Sequence, residues 1–86
     1  MTKQDLLATL LRLDISPDSY TLAGGLPNEA FCLDHSPGKW DVYYSERGQK
    51  TGLVSFAEED VACKYLLGTL IQHVYLLRFP LPTKKG

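Results

Sequence analysis

Gly38-Lys39-Trp40-Asp41-Val42-Tyr43-Tyr44-Ser45-Glu46-Arg47-Gly48-Gln49-Lys50-Thr51-Gly52-Leu53-Val54-Ser55-Phe56 reads as two strands joined by a tight turn. From Lys39 to Glu46 the side chains alternate. Trp40, Val42 and Tyr44 share one face, and Asp41, Tyr43 and Ser45 the other, the period of two expected of a half-buried strand. The first set is expected to face the core and the second to face solvent. Arg47-Gly48 supplies the turn, and Gln49 to Phe56 returns alongside. Gly52 inside the return strand marks a bulge or a close backbone approach.

Upstream, Glu29 to His35 alternates again, with Phe31 and Leu33 against Ala30, Cys32 and Asp34, and Ser36-Pro37-Gly38 turns the chain. Residues 29 to 56 are therefore expected to form a three-stranded antiparallel meander. Tyr20-Thr21-Leu22 is a further short strand. Ala23-Gly24-Gly25-Leu26-Pro27-Asn28 reads as a loop that turns the chain between strands. Its double glycine is not a phosphate loop, because no Gly-Lys-Ser/Thr ending and no helix follow it.

Leu6, Leu7, Leu10, Leu11 and Leu13 recur at helical spacing behind Thr2-x-x-Asp5, a capping box with the shorter acid. That helix is expected to end near Asp14, before Ser16-Pro17-Asp18-Ser19, with Ile15 tucked inward. After the meander, Ser55-x-x-Glu58 reads as a second capping box. It opens a helix with Glu58, Glu59 and Asp60 in its first turn and Val61, Ala62, Tyr65, Leu66, Thr69, Leu70, His73 and Val74 at helical spacing. Two prolines stop this helix by Phe79, and Tyr75 to Pro82 reads as an apolar extended arm or an exposed adhesive tail.

The expected fold class is α+β: an N-terminal helix, an antiparallel three- to four-stranded β-meander and a C-terminal helix packed on one sheet face. Both helices are expected on the face that carries Phe31, Leu33, Trp40, Val42 and Tyr44. One domain spans residues 1–79, and 80–86 form a proline- and lysine-containing tail. At 86 residues there is room for a single core. A hydrophobic fraction of 44% with 22% charged residues is that of a folding chain rather than a disordered one.

Nine basic residues face ten acidic ones, and without Lys84 and Lys85 the balance is seven against ten, or -3. Nucleic-acid binders concentrate positive charge, so none is expected as a partner. The tyrosines of the sheet resemble a base-stacking platform, yet Lys39, Arg47 and Lys50 are interleaved with Asp34, Asp41 and Glu46. No run approaches the roughly 20 apolar residues of a membrane span. Met1-Thr2-Lys3-Gln4-Asp5 leads directly into the first helix with no signal peptide. With Cys32 and Cys63 far apart and outside any Cys-x-x-Cys pair, a reducing cytoplasm is the expected compartment.

No catalytic constellation emerges, and the chain is expected to be no enzyme and to need no cofactor or metal. His35 and His73 stand in no metal-binding pair, and Cys32-x-x-His35 points its two side chains to opposite faces of a strand. His73 is expected to be a partly buried helix residue bonded to a carbonyl. Cys63 follows acids that oppose a thiolate, and both cysteines fit the core. Glu58, Glu59 and Asp60 have a capping explanation that does not need chemistry.

What remains is a surface for protein recognition. Ser16-Pro17-Asp18-Ser19-Tyr20, Gly24-Gly25-Leu26-Pro27-Asn28-Glu29-Ala30 and Trp40-x-Val42-Tyr43-Tyr44-Ser45-Glu46-Arg47-Gly48 resemble small bacterial immunity proteins of polymorphic and contact-dependent toxin systems. The resemblance covers residues 6 to 70 and departs at Leu76 to Gly86. It implies stoichiometric binding of a cognate toxin domain in the cytoplasm, occluding its active site or an adjacent surface.

The expected toxin-facing residues are Asp41, Tyr43, Glu46 and Arg47, with Glu29 and Asp34. Tyrosine and arginine recur at interface hot spots, and acids complement a basic partner. The acidic helix start at Glu58, Glu59 and Asp60 is an alternative surface. The other class of function is a small regulatory or assembly subunit that acts through protein contacts made by the hairpin or by Tyr75 to Leu81.

Overall fold

The computed structural model describes residues 1–78 of the chain, with side chains through residue 74. Of the apolar arm expected over Tyr75 to Pro82, residues 75–78 continue the last helix instead of forming an extended arm, and the remainder, with the tail at 80–86, lies outside the described residues. Helix α1, Lys3–Arg12, begins where the sequence places it: the Asp5 amide donates to Thr2 Oγ1 at 3.2 Å and the Thr2 amide to Asp5 Oδ2 at 3.0 Å, closing the capping box. It ends in a reciprocal pair of backbone bonds, Ile15 N to Leu10 O and Asp14 N to Leu11 O, both 3.1 Å. Asp14 takes the left-handed conformation that this ending requires, at φ 59°. Ile15 is thereby delivered into the core, as expected.

A short 3-10 turn, Pro17–Ser19, leads to β1 (Tyr20–Thr21), followed by β2 (Ala30–Ser36), β3 (Lys39–Glu46), β4 (Gln49–Phe56) and α2 (Glu59–Arg78). The strands lie in the order β1-β2-β3-β4. The three long strands are the expected antiparallel meander, but β1 runs parallel to β2, with Tyr20 opposite Phe31, so the sheet is mixed. A parallel neighbour cannot be reached by a hairpin. The segment after β1 must travel back along the sheet before β2 starts, and this makes it a crossover rather than the simple turn that its glycines suggest.

Gly52 does mark a bulge. Between the Val42–Val54 and Tyr44–Thr51 pairs, Gly52 and Leu53 together oppose Tyr43, and Gly52 sits at φ 64°. The Ser55-x-x-Glu58 capping box does not form. Ser55 belongs to β4, and its hydroxyl donates to Asp41 Oδ1 at 2.6 Å, while Glu58 offers only its carbonyl to Ala62 N at 3.2 Å.

Helix α2 packs on β2, β3 and β4, and α1 lies beside α2. Leu6, Leu10 and Ile15 meet Ala62, Cys63, Leu66 and Leu70 over Leu33 and Val42, with Phe31, Trp40 and Phe56 at the margin. The apolar face of the sheet is thus the predicted one. The start of α1 is held by the first turn of α2. Glu59 Oε2 accepts from Lys3 N at 2.8 Å, and Asp60, which also pairs with Lys64 at 3.2 Å, accepts from the Met1 ammonium. Two of the three acids considered as an alternative recognition surface, Glu59 and Asp60, therefore have a joining role, and bonding to that ammonium and to Lys64 holds the Asp60 carboxyl below its ordinary range.

The opposite face departs from expectation. Asp41, Tyr43 and Ser45 were expected in solvent, yet they are 7%, 1% and 0% exposed. The crossover segment after β1 lies across Tyr43 and Ser45. Tyr43 donates its hydroxyl to Gly25 O at 2.8 Å and Ser45 to Pro27 O at 2.7 Å. Each buried polar atom is thereby matched to a loop carbonyl that no strand satisfies. Gly24 comes so close to β2 that a methyl group there would meet the Asp34 carboxyl carbon at 2.6 Å, and its amide donates to Leu33 O at 2.9 Å.

Candidate functional site

The six residues expected to meet a partner are distributed over three places. Tyr43 lies beneath the crossover strap, its ring topped by Lys50 Nζ at 4.6 Å from the centroid. Burial, with Cys32 and Asp34 nearby, pushes its hydroxyl up to about 12, so the phenol is a fixed neutral donor. Asp34 and Asp41 face each other across β2 and β3. Asp41 is engaged by Ser55 and by Lys39 at 3.7 Å. The third place brings Glu29, Glu46 and Arg47 together, all exposed at the far end of the sheet.

That end is built by two tight chain reversals. Arg47-Gly48 is a two-residue hairpin turn with φ of 52° and 75°, the left-handed pair that matches the twist of the flanking strands. Glu29, the last residue of the strap, is also left-handed at φ 56°. The reversals are tied together by the Arg47 amide, which donates to Asn28 Oδ1 at 3.4 Å. Glycine or asparagine is the low-energy choice at both positions, and the chain has charged residues instead.

Beside these charges, on the helix-bearing face, β2 and β3 place Phe31 and Tyr44 opposite one another, with ring centroids 4.8 Å apart and planes at 57°. His73 of α2 meets Phe31 edge-on at 5.4 Å. This ring contact, rather than a carbonyl, is the setting of His73, which is exposed. Two open hollows flank the Phe31–Tyr44 pair. One, of about 230 Å³, reaches Val42, Thr51, Tyr65 and Thr69. The other, of about 260 Å³, is lined by Asp18, Ser19, Glu29, Phe31, Tyr44 and His73. Partial burial, then the charges of Glu46 and Glu29, raise the Tyr44 hydroxyl above its ordinary value.

Tyr44, Phe31, His73, Asp18 and Ser19 were not assigned to the recognition surface from the sequence. Tyr44 and Phe31 have core parity and read as packing residues. Both are nevertheless only half-buried.

The cysteines are chemically quiet. Burial raises both thiols, and Cys32 donates weakly to Ala30 O at 3.7 Å. His35 stacks on Trp40 at 3.8 Å between centroids, with planes 9° apart. Among the described residues no three His, Cys, Asp or Glu side chains are grouped so as to hold a metal ion. None of the described helices is long and apolar enough to cross a membrane. No protein-family model, curated protein or solved structure matches this chain.

Proposed function

We propose that this chain is an immunity-type inhibitor that binds a toxin domain and covers its active site or an adjacent surface. The observation that carries the reading is the pair Glu29 and Arg47. Two charged, exposed residues hold left-handed conformations at adjoining turns, where a choice made for stability would be glycine or asparagine. Backbone strain kept at an exposed end is accounted for if the side chains serve recognition. The three segments that resemble immunity proteins converge there. The first supplies Asp18 and Ser19, the second Glu29, and the third Tyr44, Glu46 and Arg47.

Glu29, Glu46 and Arg47 are the center of the proposed surface. Asp34 and the buried Asp41 pair further along the strands and lie outside it, and Tyr43 contributes by holding the strap that presents Glu29. An aromatic floor with a charged rim is the composition of an interface hot spot.

The test is co-expression with the toxin domain encoded beside this gene. The native chain should protect the cell and co-elute one-to-one with that domain. A variant combining Glu29→Lys, Glu46→Lys and Arg47→Glu should lose protection by about tenfold or more while melting as the native chain does. Full protection by that variant, or no complex between the native chain and the domain, overturns the proposal.

A further inference from the structure

We infer that the hollow lined by Asp18, Glu29, Phe31, Tyr44 and His73 is a pocket for one arginine side chain of the partner. This inference rests on the recognition reading above and specifies what that surface accepts. Three features of the hollow select a guanidinium. Its size, about 260 Å³, admits a single long side chain rather than a helix or a strand. Two carboxylates line it, and a planar fork of N–H donors satisfies carboxylates with paired bonds. Its floor is a tilted aromatic pair, Phe31 and Tyr44, at 4.8 Å, and cations are attracted to ring faces.

Neither lysine nor arginine is among the described residues that line the hollow, whose one nitrogen base is the His73 imidazole. Ion pairs elsewhere use other acids: Asp60 holds Lys64 and the Met1 ammonium, and Asp41 holds Lys39. Among the described residues neither Asp18 nor Glu29 enters an ion pair, and their charge complements a partner of opposite sign. Its walls come from separate elements: the 3-10 turn gives Asp18 and Ser19, the strap Glu29, two neighbouring strands Phe31 and Tyr44, and α2 His73. The backbone ties of the strap keep the Glu29 wall in place, because Asn28 is fastened to Arg47 and Pro27 to Ser45.

The pocket can be tested without knowing the partner. The probe is the blocked peptide acetyl-Gly-Arg-Gly-amide, titrated into the full chain by amide NMR, with the isosteric citrulline peptide as neutral control. Saturable shifts should gather at Ser19, Glu29, Phe31, Tyr44 and His73, and the citrulline peptide should bind about tenfold more weakly. Glu29→Gln and Asp18→Asn, each isosteric, should weaken the arginine peptide several-fold in dispersed, native-like spectra. Shifts scattered over other acids, or equal affinity for citrulline, overturn the assignment.

The two readings fail separately. If the toxin domain binds normally but the peptide does not select this pocket, the arginine assignment falls and the inhibitor reading stands. If the peptide selects the pocket and no toxin domain binds, the pocket stands and the inhibitor reading falls.

Discussion

Replacing Tyr43 by alanine should cost about 3–5 kcal/mol of folding stability, even though strand parity alone places this tyrosine in water. Its side chain is 1% exposed beneath the residue 22–29 strap. A buried aromatic withdraws about 150–250 Å² from water. At about 25 cal/mol per Å² this corresponds to about 4–6 kcal/mol, reduced by the polar share of the ring and by partial collapse of the strap. The contact with Lys50 at 4.6 Å contributes about 0.5–1 kcal/mol of that total.

Tyr43→Phe separates the hydroxyl from the ring. It removes the 2.8 Å bond to Gly25 O, and because Gly25 is exposed its carbonyl can take a water instead. The loss should therefore be near the low end of about 0.5–1.5 kcal/mol. Urea denaturation followed by circular dichroism measures both values, and in a domain of this size each kcal/mol moves the melting temperature by about 4–8 °C. If Tyr43→Ala stays within about 0.5 kcal/mol of the native chain, as exposed positions do, the strap does not cover this face and the account of the second layer is wrong.

Other expected outcomes follow from the same contacts. Because burial raises Tyr43 to about 12, the unfolded chain ionises this group near 10 while the folded one does not. Stability should therefore fall as pH rises from 10 towards 12, and Tyr43→Phe should flatten part of that decline in alkaline denaturation curves. Gly24→Ala introduces both a left-handed alanine and the 2.6 Å overlap with Asp34, and should destabilise by about 2 kcal/mol or more; Asp34→Ala in the same chain should relieve the overlap only, a coupling that a double-mutant cycle reads. Arg47→Asn suits the left-handed turn and should stabilise by about 0.5–1 kcal/mol in thermal melts; a loss of stability instead would refute the strain attributed to that position.

The local signals in this chain are strong where one turn or one strand is enough to define them. Thr2 and Asp5 close their box because both partners lie within one helical turn. The β2–β4 boundaries follow from alternation and from Pro37-Gly38 and Arg47-Gly48. Ser55 shows the limit of such reasoning. It has the spacing of a helix cap, but Asp41, directly across the ladder, captures its hydroxyl at 2.6 Å. The candidate site was legible only in part for a similar reason. Glu29, Glu46 and Arg47 were found as charged turn residues, whereas Phe31 and Tyr44 read as core because strand parity cannot say how fully a face is covered.

Residue order alone establishes an α+β chain, which residues share each sheet face, and that Phe31, Leu33, Trp40 and Val42 belong on the helix side. These are consequences of periodicity, which acts over a few neighbouring residues. The parallel joining of β1, the passage of residues 22–29 over the sheet and the burial of Asp41, Tyr43 and Ser45 emerge only in the folded chain. Parity divides a strand into two faces, but whether the second face is wet depends on a segment far away in sequence that must pass over it to reach its next strand. The same crossing sets Glu29 beside Arg47 and leaves Tyr44 open at the end of the sheet, so the fold's one non-local connection also assembles the proposed recognition surface.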